Sequence, residues 1–242
     1  METIIEIKNL KKSFGSNEVL KDINLTVNKG ENIVILGRSG VGKSVTIKCM
    51  VGLLTQDEGS LTVFGEDVKS MNEENLKELR TKIGFLFQSG ALYDSMTVRE
   101  NLSFPLTRVL KIKEQAEIDT RIKEILESVG LADAIDKMPS DLSGGMRKRI
   151  GLARTLIVKP EIILYDEPTT GLDPITSREI SELILEMQKK YQTTSVIITH
   201  DIACAKITAD RVVIMNDGKY IAEGTFDELQ QSKDKFVQSF FK

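Results

Sequence analysis

The sequence predicts an α/β chain built from a phosphate-binding core, an antiparallel β-layer beside it and a helical subdomain inserted between its halves. Three observations carry that expectation. Gly37-Arg38-Ser39-Gly40-Val41-Gly42-Lys43-Ser44 spells G-x-x-x-x-G-K-[ST], set between the β-branched run Ile33-Val34-Ile35-Leu36 and a helical stretch from Val45 to Leu53. From Ile4 to Val27 the apolar residues alternate, as in Ile5-Glu6-Ile7 and Ile23-Asn24-Leu25-Thr26-Val27, the pattern of strands with one face buried. Residues 89–156 lose the strand signals and take on helical spacing.

Taken in order, Gly15-Ser16-Asn17 and Asn28-Lys29-Gly30 supply turns between the first strands, and Leu61-Thr62-Val63-Phe64 is a further strand closed by Gly65. Ser70-Met71-Asn72-Glu73 has the form of a capping box opening a helix to Arg80, and Ile83-Gly84-Phe85-Leu86-Phe87 is a strand ending at Gln88. Thr97-Val98-Arg99-Glu100 is a second capping box. Ile118, Ile122, Ile125, Leu126 and Val129 recur at helical spacing, with Gly130 placed as a C-terminal cap. The α/β pattern then returns. Strand Ile162-Ile163-Leu164-Tyr165 precedes a helix with Ile180, Leu183, Ile184 and Met187 on one face, and Ser195 to Thr199 is another strand. Asn216-Asp217-Gly218 turns a hairpin between Val212-Val213-Ile214 and Tyr220-Ile221, and Thr225-Phe226-Asp227-Glu228 caps a last helix. The organisation expected is one domain over residues 1–242, with residues 1–88 and 157–242 forming the core and β-layer and residues 89–156 the helical subdomain.

The 242 residues suffice for such a domain. With 33 Lys and Arg against 36 Asp and Glu, the chain carries net −3, which argues against a nucleic-acid partner needing a concentrated basic surface. Cys49 and Cys204 are far apart among apolar residues and are expected as buried reduced thiols, as in a cytosolic protein. No apolar run approaches the roughly 18 to 20 residues of a membrane span, and Met1-Glu2-Thr3 does not open a signal peptide. If the chain works at a membrane, a partner holds it there.

The chemistry starts at the glycine-rich loop. Three glycines let backbone N–H groups converge on phosphate oxygens without Cβ clashes, and a following helix N-terminus adds positive partial charge. Lys43 would reach the β- and γ-phosphates and the Ser44 hydroxyl would ligate Mg²⁺; a chance glycine-rich turn would do neither. Such a loop alone leaves kinase, GTPase and ATPase open. The strand ending Tyr165-Asp166-Glu167 narrows this, since Asp166 can complete the Mg²⁺ shell and Glu167 can polarise an attacking water. In isolation the same residues would equally be a solvated strand end. Side chains alternating at the strand end would send the two carboxylates in different directions. Leu142-Ser143-Gly144-Gly145 opens a helix running through Arg147-Lys148-Arg149 to Leu156. It is either an ordinary N-cap with flexible glycines or a second anion-binding surface. Arg147-Lys148-Arg149 is either a solvated helix face or a contact for a partner.

Together these motifs resemble, across essentially the whole chain, the ATP-binding subunits of ATP-binding cassette (ABC) transporters. The ordered set is Walker A at 37–44, Gln88 as the Q-loop glutamine, Leu142-Ser143-Gly144-Gly145 as the signature, Walker B at 162–167, Gly171-Leu172-Asp173 as the D-loop and His200 as the switch histidine. His200 is the chain's one histidine. The resemblance implies a RecA-like core, ATP and Mg²⁺ as ligands, and a homodimer in which Walker A of one subunit and Ser143, Gly144 and Gly145 of the other sandwich the nucleotide. It also implies nucleotide contacts from Phe14, where the family usually stacks an aromatic on adenine, from residues 37–45 including Val45, and from Gln88 and Asp173. Glu167 and His200 would be the catalytic pair, with Ser44, Gln88 and Asp166 around the metal. Residues 88–101 would meet the cytoplasmic coupling helix of an integral-membrane permease, which places the chain on the cytoplasmic face of the inner membrane.

Two departures stand out. Met146 follows the signature glycines where Gln is usual, and Val45 follows Ser44 where Thr or Ser is common. Neither removes a phosphate N–H or a Mg²⁺ ligand, so hydrolysis is expected to survive. The stretches Phe87 to Thr97 and Leu142 to Arg154 resemble the ATPases of Mla-type phospholipid transporters that work with Mce-domain proteins, which implies lipid transport between membranes. The competing readings are an ABC ATPase for another substrate, or one that transports nothing, such as a cell-division regulator or an iron–sulfur assembly component. A non-hydrolysing nucleotide switch is disfavoured by Glu167 and His200.

Overall fold

In the computed structural model, which describes residues 2–241, the alternating N-terminal segment forms two long strands, β1 (Thr3–Phe14) and β2 (Asn17–Asn28). The buried run Asn32–Leu36 is β3, followed by α1 (Lys43–Met50), β4 (Glu58–Val63) and the two-residue β5 (Glu66–Asp67). Then come α2 (Glu73–Lys82), β6 (Ile83–Leu86), α3 (Val98–Arg108), α4 (Gln115–Ser128) and α5 (Gly144–Leu156). The remainder is β7 (Ile162–Asp166), α6 (Pro174–Tyr191), β8 (Thr194–Thr199), α7 (Ile202–Thr208), β9 (Arg211–Asn216), β10 (Lys219–Gly224), α8 (Phe226–Gln230) and α9 (Lys235–Gln238).

Two sheets result. An antiparallel sheet has the order β2-β1-β4-β5, and a six-stranded sheet runs β10-β9-β3-β8-β7-β6. In the second, β9, β3, β8, β7 and β6 are parallel and only β10 returns antiparallel, through a hairpin at Asp217 (φ 45) and Gly218 (φ 71). Because strand side chains alternate, Ile33 and Ile35 face a core shared with the antiparallel sheet and α1, while Val34 and Leu36 face the core of the helices. Ile162 and Leu164 divide in the same way from Ile163 and Tyr165. A sheet covered on both faces is what continuous apolar strands require.

Among the described residues no strand falls within 89–156, and this stretch holds α3, α4 and α5. Thr97 and Glu100 make the expected capping box, and Gly130 has the left-handed φ (+69) of a helix-ending residue. Three local expectations are corrected. The cap of α2 is Asn72, whose side chain accepts from Asn75 N at 2.9 Å, while Ser70 ends a preceding 3₁₀ turn. β6 stops at Leu86, and the Phe87 ring instead stacks on Phe85 with centroids 4.2 Å apart. α1 starts two residues earlier than its apolar spacing suggests, so Lys43 and Ser44 lie in its first turn. Both cysteines are buried and free, and burial pushes each thiol up to about 11.

Candidate active site

Parallel pairing brings the chemistry together. Leu36 of β3 pairs with Thr199 of β8, Asp166 of β7 with Ile198, and Leu86 of β6 with Tyr165. The loop after β3, the Asp166-Glu167 pair after β7, His200 after β8 and Gln88 after β6 therefore emerge at the same carboxyl edge of the sheet, where ligands of open α/β sheets bind. A cleft of about 330 Å³ is lined there by Ser39, Gly40, Gly42, Lys43, Ser44, Val45, Gln88, Asp166, Glu167 and His200, with Val19 and Thr170.

The loop geometry explains its glycines. Gly42 has φ 110, and a Cβ there would lie 2.8 Å from Leu20 Cδ2 and 3.0 Å from Val19 O; a Cβ on Gly37 would lie 2.7 Å from Met215 O. No side chain caps α1, and while Val45 N donates to Gly42 O at 3.0 Å, the N–H groups of Lys43 and Ser44 are left for a ligand, which is the arrangement a polyphosphate fits. Lys43 is 5% exposed; its Nζ donates to Gly37 O (2.6 Å) and Arg38 O (3.0 Å) and lies 3.1 Å from Glu167 Oε1. Val41 is half-buried and packs against the core under the loop.

Asp166 and Glu167 part company through the backbone rather than by strand alternation. β7 ends at Asp166, and Glu167 takes a left-handed φ of 51, a conformation that costs energy outside glycine and recurs at functional sites. Its N–H is held by Ile198 O at 2.9 Å. Glu167 Oε2 lies 2.8 Å from His200 Nδ1 and accepts from Thr170 Oγ1 at 3.3 Å. Asp166 Oδ1 accepts from Ser44 Oγ at 3.0 Å. Burial raises the Asp166 pKa above the ordinary carboxylate value, opposed by the Ser44 hydrogen bond. A hard oxygen pair made of a hydroxyl and a carboxylate beside uncapped N–H groups suits Mg²⁺ bound with phosphate.

Other expected residues lie elsewhere. Phe14 ends β1, is 48% exposed, and has the Lys12 ammonium 5.5 Å from its ring centroid. Ser143, Gly144, Gly145 and Asp173 do not line the cleft. Ser143 caps α5, accepting from Met146 N at 3.2 Å, and Asp173 caps α6 by accepting from Ile175 N and Thr176 N, both at 3.0 Å. A Cβ on Gly145 would lie 2.6 Å from Thr176 Cγ2, so that glycine already answers to packing between α5 and α6.

The basic cluster is not uniform: Arg147 stays exposed, Arg149 is half-buried and Lys148 is buried. Arg147 donates to Leu142 O at 2.7 Å, Arg149 pairs with Glu179 at 3.1 Å, and Lys148 is buried with its Nζ 2.5 Å from Gln88 O. Burial lowers the Lys148 pKa, while the charges of Asp166 and Glu167 oppose that. Thr170 sits at no diagnostic spacing, and nothing in the sequence distinguishes Lys148 from its neighbours Arg147 and Arg149.

Against known families, residues 20–170 match the model described as ABC transporter. The probable ribonucleotide transport ATP-binding protein mkl of Mycobacterium leprae is 40% identical over 240 residues, covering 99% of this chain and 69% of that protein. The methionine import ATP-binding protein MetN of Clostridium acetobutylicum is 42% identical over 226 residues, covering 93% and 70%. The intermembrane phospholipid transport system ATP-binding protein MlaF of Haemophilus influenzae is 38% identical over 241 residues, covering 100% and 91%. Among solved structures, the dimeric post-hydrolysis ATP-binding cassette MJ0796 with ADP and Pi superposes with TM-score 0.82 at 31% identity, covering 92% of this chain and 99% of that one. The cbiO1 protein of Clostridium perfringens, part of the transporter complex cbiONQ, superposes with TM-score 0.88 at 30% identity, covering 100% and 96%. The three relatives are similar at nearly equal identity, so no one substrate is singled out.

Proposed function

The chain belongs to the ABC transporter family and is an ATP-binding ATPase of that fold, and from this premise we propose that it works as a homodimer under an integral-membrane permease and drives phospholipid transport between membranes. The observation that supports the catalytic part is the single cleft edge on which Lys43, Ser44, Asp166, Glu167 and His200 meet. The uncapped start of α1 and the Lys43 ammonium bind and orient the β- and γ-phosphates. Ser44, Asp166 and Gln88 would hold Mg²⁺, which would supply charge neutralisation on the phosphate oxygens. Glu167 orients and polarises the attacking water, and His200 fixes the Glu167 carboxylate and stands toward the γ-phosphate.

Residues 143–145 lie outside their own chain's cleft, at a helix start, which supports their acting in the neighbouring subunit. Tyr93, 45% exposed, lies in the stretch assigned to permease contact, and Phe87, 38% exposed, directly precedes it. Such a partner would hold the chain peripherally at the cytoplasmic face of the inner membrane; no helix among the described residues is long and apolar enough to cross one.

The lipid reading rests on the likeness of residues 87–97 and 142–154 to Mla-type ATPases and on the MlaF match, which spans 91% of that protein. On this reading an Mce-domain protein is the further partner. The second reading, an importer ATPase for another substrate, is favoured by the 42% identity to MetN. Purification of the tagged chain from detergent-solubilised membranes separates them. Recovery of a permease with an Mce-domain protein and bound phospholipid supports the first, and recovery of a permease with a solute-binding protein overturns it.

A further inference from the structure

The helix that opens at Ser143 is also tied, through Lys148, to the backbone that carries cleft residues of its own chain. That side chain is 6% exposed, and its Nζ donates to Gln88 O at 2.5 Å and to Glu167 O at 3.3 Å. The two carbonyls belong to the segments leaving β6 and β7, the same segments that deliver the Gln88 amide and the Glu167 carboxylate to the cleft. The seam is tight on both sides of the lysine. A Cβ on Gly90 would meet Arg147 O at 3.3 Å, and a Cβ on Gly151 would meet Gly90 O at 3.0 Å, so the backbone after Gln88 lies directly on α5. An ammonium buried in such a seam is unfavourable unless its hydrogens are bonded, and here they bind backbone carbonyls rather than a carboxylate. Lys148 does not line the cleft, so it acts on the reaction only through what it holds.

We propose that Lys148 is a positioning residue for ATP hydrolysis: by binding the Gln88 and Glu167 carbonyls to α5, it ties the place of the water-polarising carboxylate to the place of residues 143–145 at the start of the same helix. The proposal rests on the ATPase reading above. Lys148 lies five positions after the Ser143 cap, so a displacement of the helix start when a second chain docks against it is carried along α5 to Glu167. One ammonium thus joins the surface a chain offers its neighbour to the base that serves its own nucleotide. The interior of a helix transmits such a shift as a rigid element.

The test is steady-state phosphate release and nucleotide titration on full-length wild type, Lys148→Met, Glu167→Gln and the double variant. Met keeps an unbranched apolar chain of similar length and removes every donor. Lys148→Met should lower kcat tenfold or more while KM for ATP and nucleotide affinity stay within about threefold. In the Glu167→Gln background the same change should lower residual turnover by less than twofold, because the group it positions is already gone. A Lys148→Met chain with wild-type kcat, or a tenfold loss repeated in full in the Glu167→Gln background, overturns the proposal and leaves the ATPase reading standing. A wild-type chain that releases no phosphate overturns both. Should Lys148→Met lose its cooperative melting, Lys148→Gln is held to the same criteria.

Discussion

Glu167 Oε2 lies 2.8 Å from His200 Nδ1, a contact that joins the end of β7 to the end of β8 and aims one carboxylate at the phosphate loop. Its other oxygen is 3.1 Å from Lys43 Nζ, so the proposed base, the phosphate-binding lysine and the histidine form one chain of contacts. Glu167→Gln should keep ATP affinity within a few-fold and slow hydrolysis by on the order of 10² or more, the contribution of a positioned base. Phosphate release under saturating ATP measures it; turnover within a few-fold of wild type would remove Glu167 from this role.

Lys43→Ala should act at binding. Deleting a charge-assisted contact to phosphate should weaken nucleotide affinity by roughly 1.5 to 3 kcal/mol. Titration with a fluorescent nucleotide reads this directly, and unchanged affinity would mean that the loop after β3 does not hold phosphate.

Asn101 is fully buried, and its amide ties down the stretch between Gln88 and α3. Oδ1 accepts from Tyr93 N at 2.8 Å, and Nδ2 faces Tyr93 O at 3.1 Å and Met96 O and Thr97 O at 3.0 Å each. Asn101→Ala should cost about 1 to 3 kcal/mol, since it removes a buried amide and leaves the part-buried backbone groups of Tyr93 and Met96 without that partner. Amide exchange should quicken at residues 93–97 before the rest of the domain; uniform protection with unchanged unfolding free energy would contradict the role given to Asn101.

In the antiparallel sheet, Gly59 has φ 80, and a Cβ there would lie 2.4 Å from Asn9 O. Both the conformation and the close backbone approach exclude a side chain. Gly59→Ala should lower stability by about 1 to 3 kcal/mol or more by denaturant unfolding. A neutral change would place the strain elsewhere.

How far the sequence discloses this molecule depends on whether a residue's role is local. The spacing of Gly37, Gly42, Lys43 and Ser44 is fixed by one loop, and the cap at Thr97 by one helical turn, so both are legible without a fold. The left-handed Glu167 is not, because its geometry follows from where Ile198 holds its N–H. Lys148 is invisible for a related reason: among Arg147, Lys148 and Arg149 only the packing of α5 against the Gln88 segment decides which cation is buried. Asp173 and Gly145 show the reverse limit, where residues marked by a motif already serve a helix cap and the packing at Thr176.

The central claim is that two chains complete each ATP site, and mixing two inactive variants tests it most directly. Ser143→Arg should abolish hydrolysis while leaving ATP binding by the isolated chain almost intact, because Ser143 lies outside its own cleft. Mixed with Lys43→Ala, it should form heterodimers in which one site carries both lesions and the other carries neither. A double-variant chain mixed with wild type supplies the control, since it too leaves one intact site per heterodimer. With that control active, phosphate release returning in the Ser143→Arg and Lys43→Ala mixture is the result expected; silence of the mixture while the control turns over would contradict a signature acting in the neighbouring subunit.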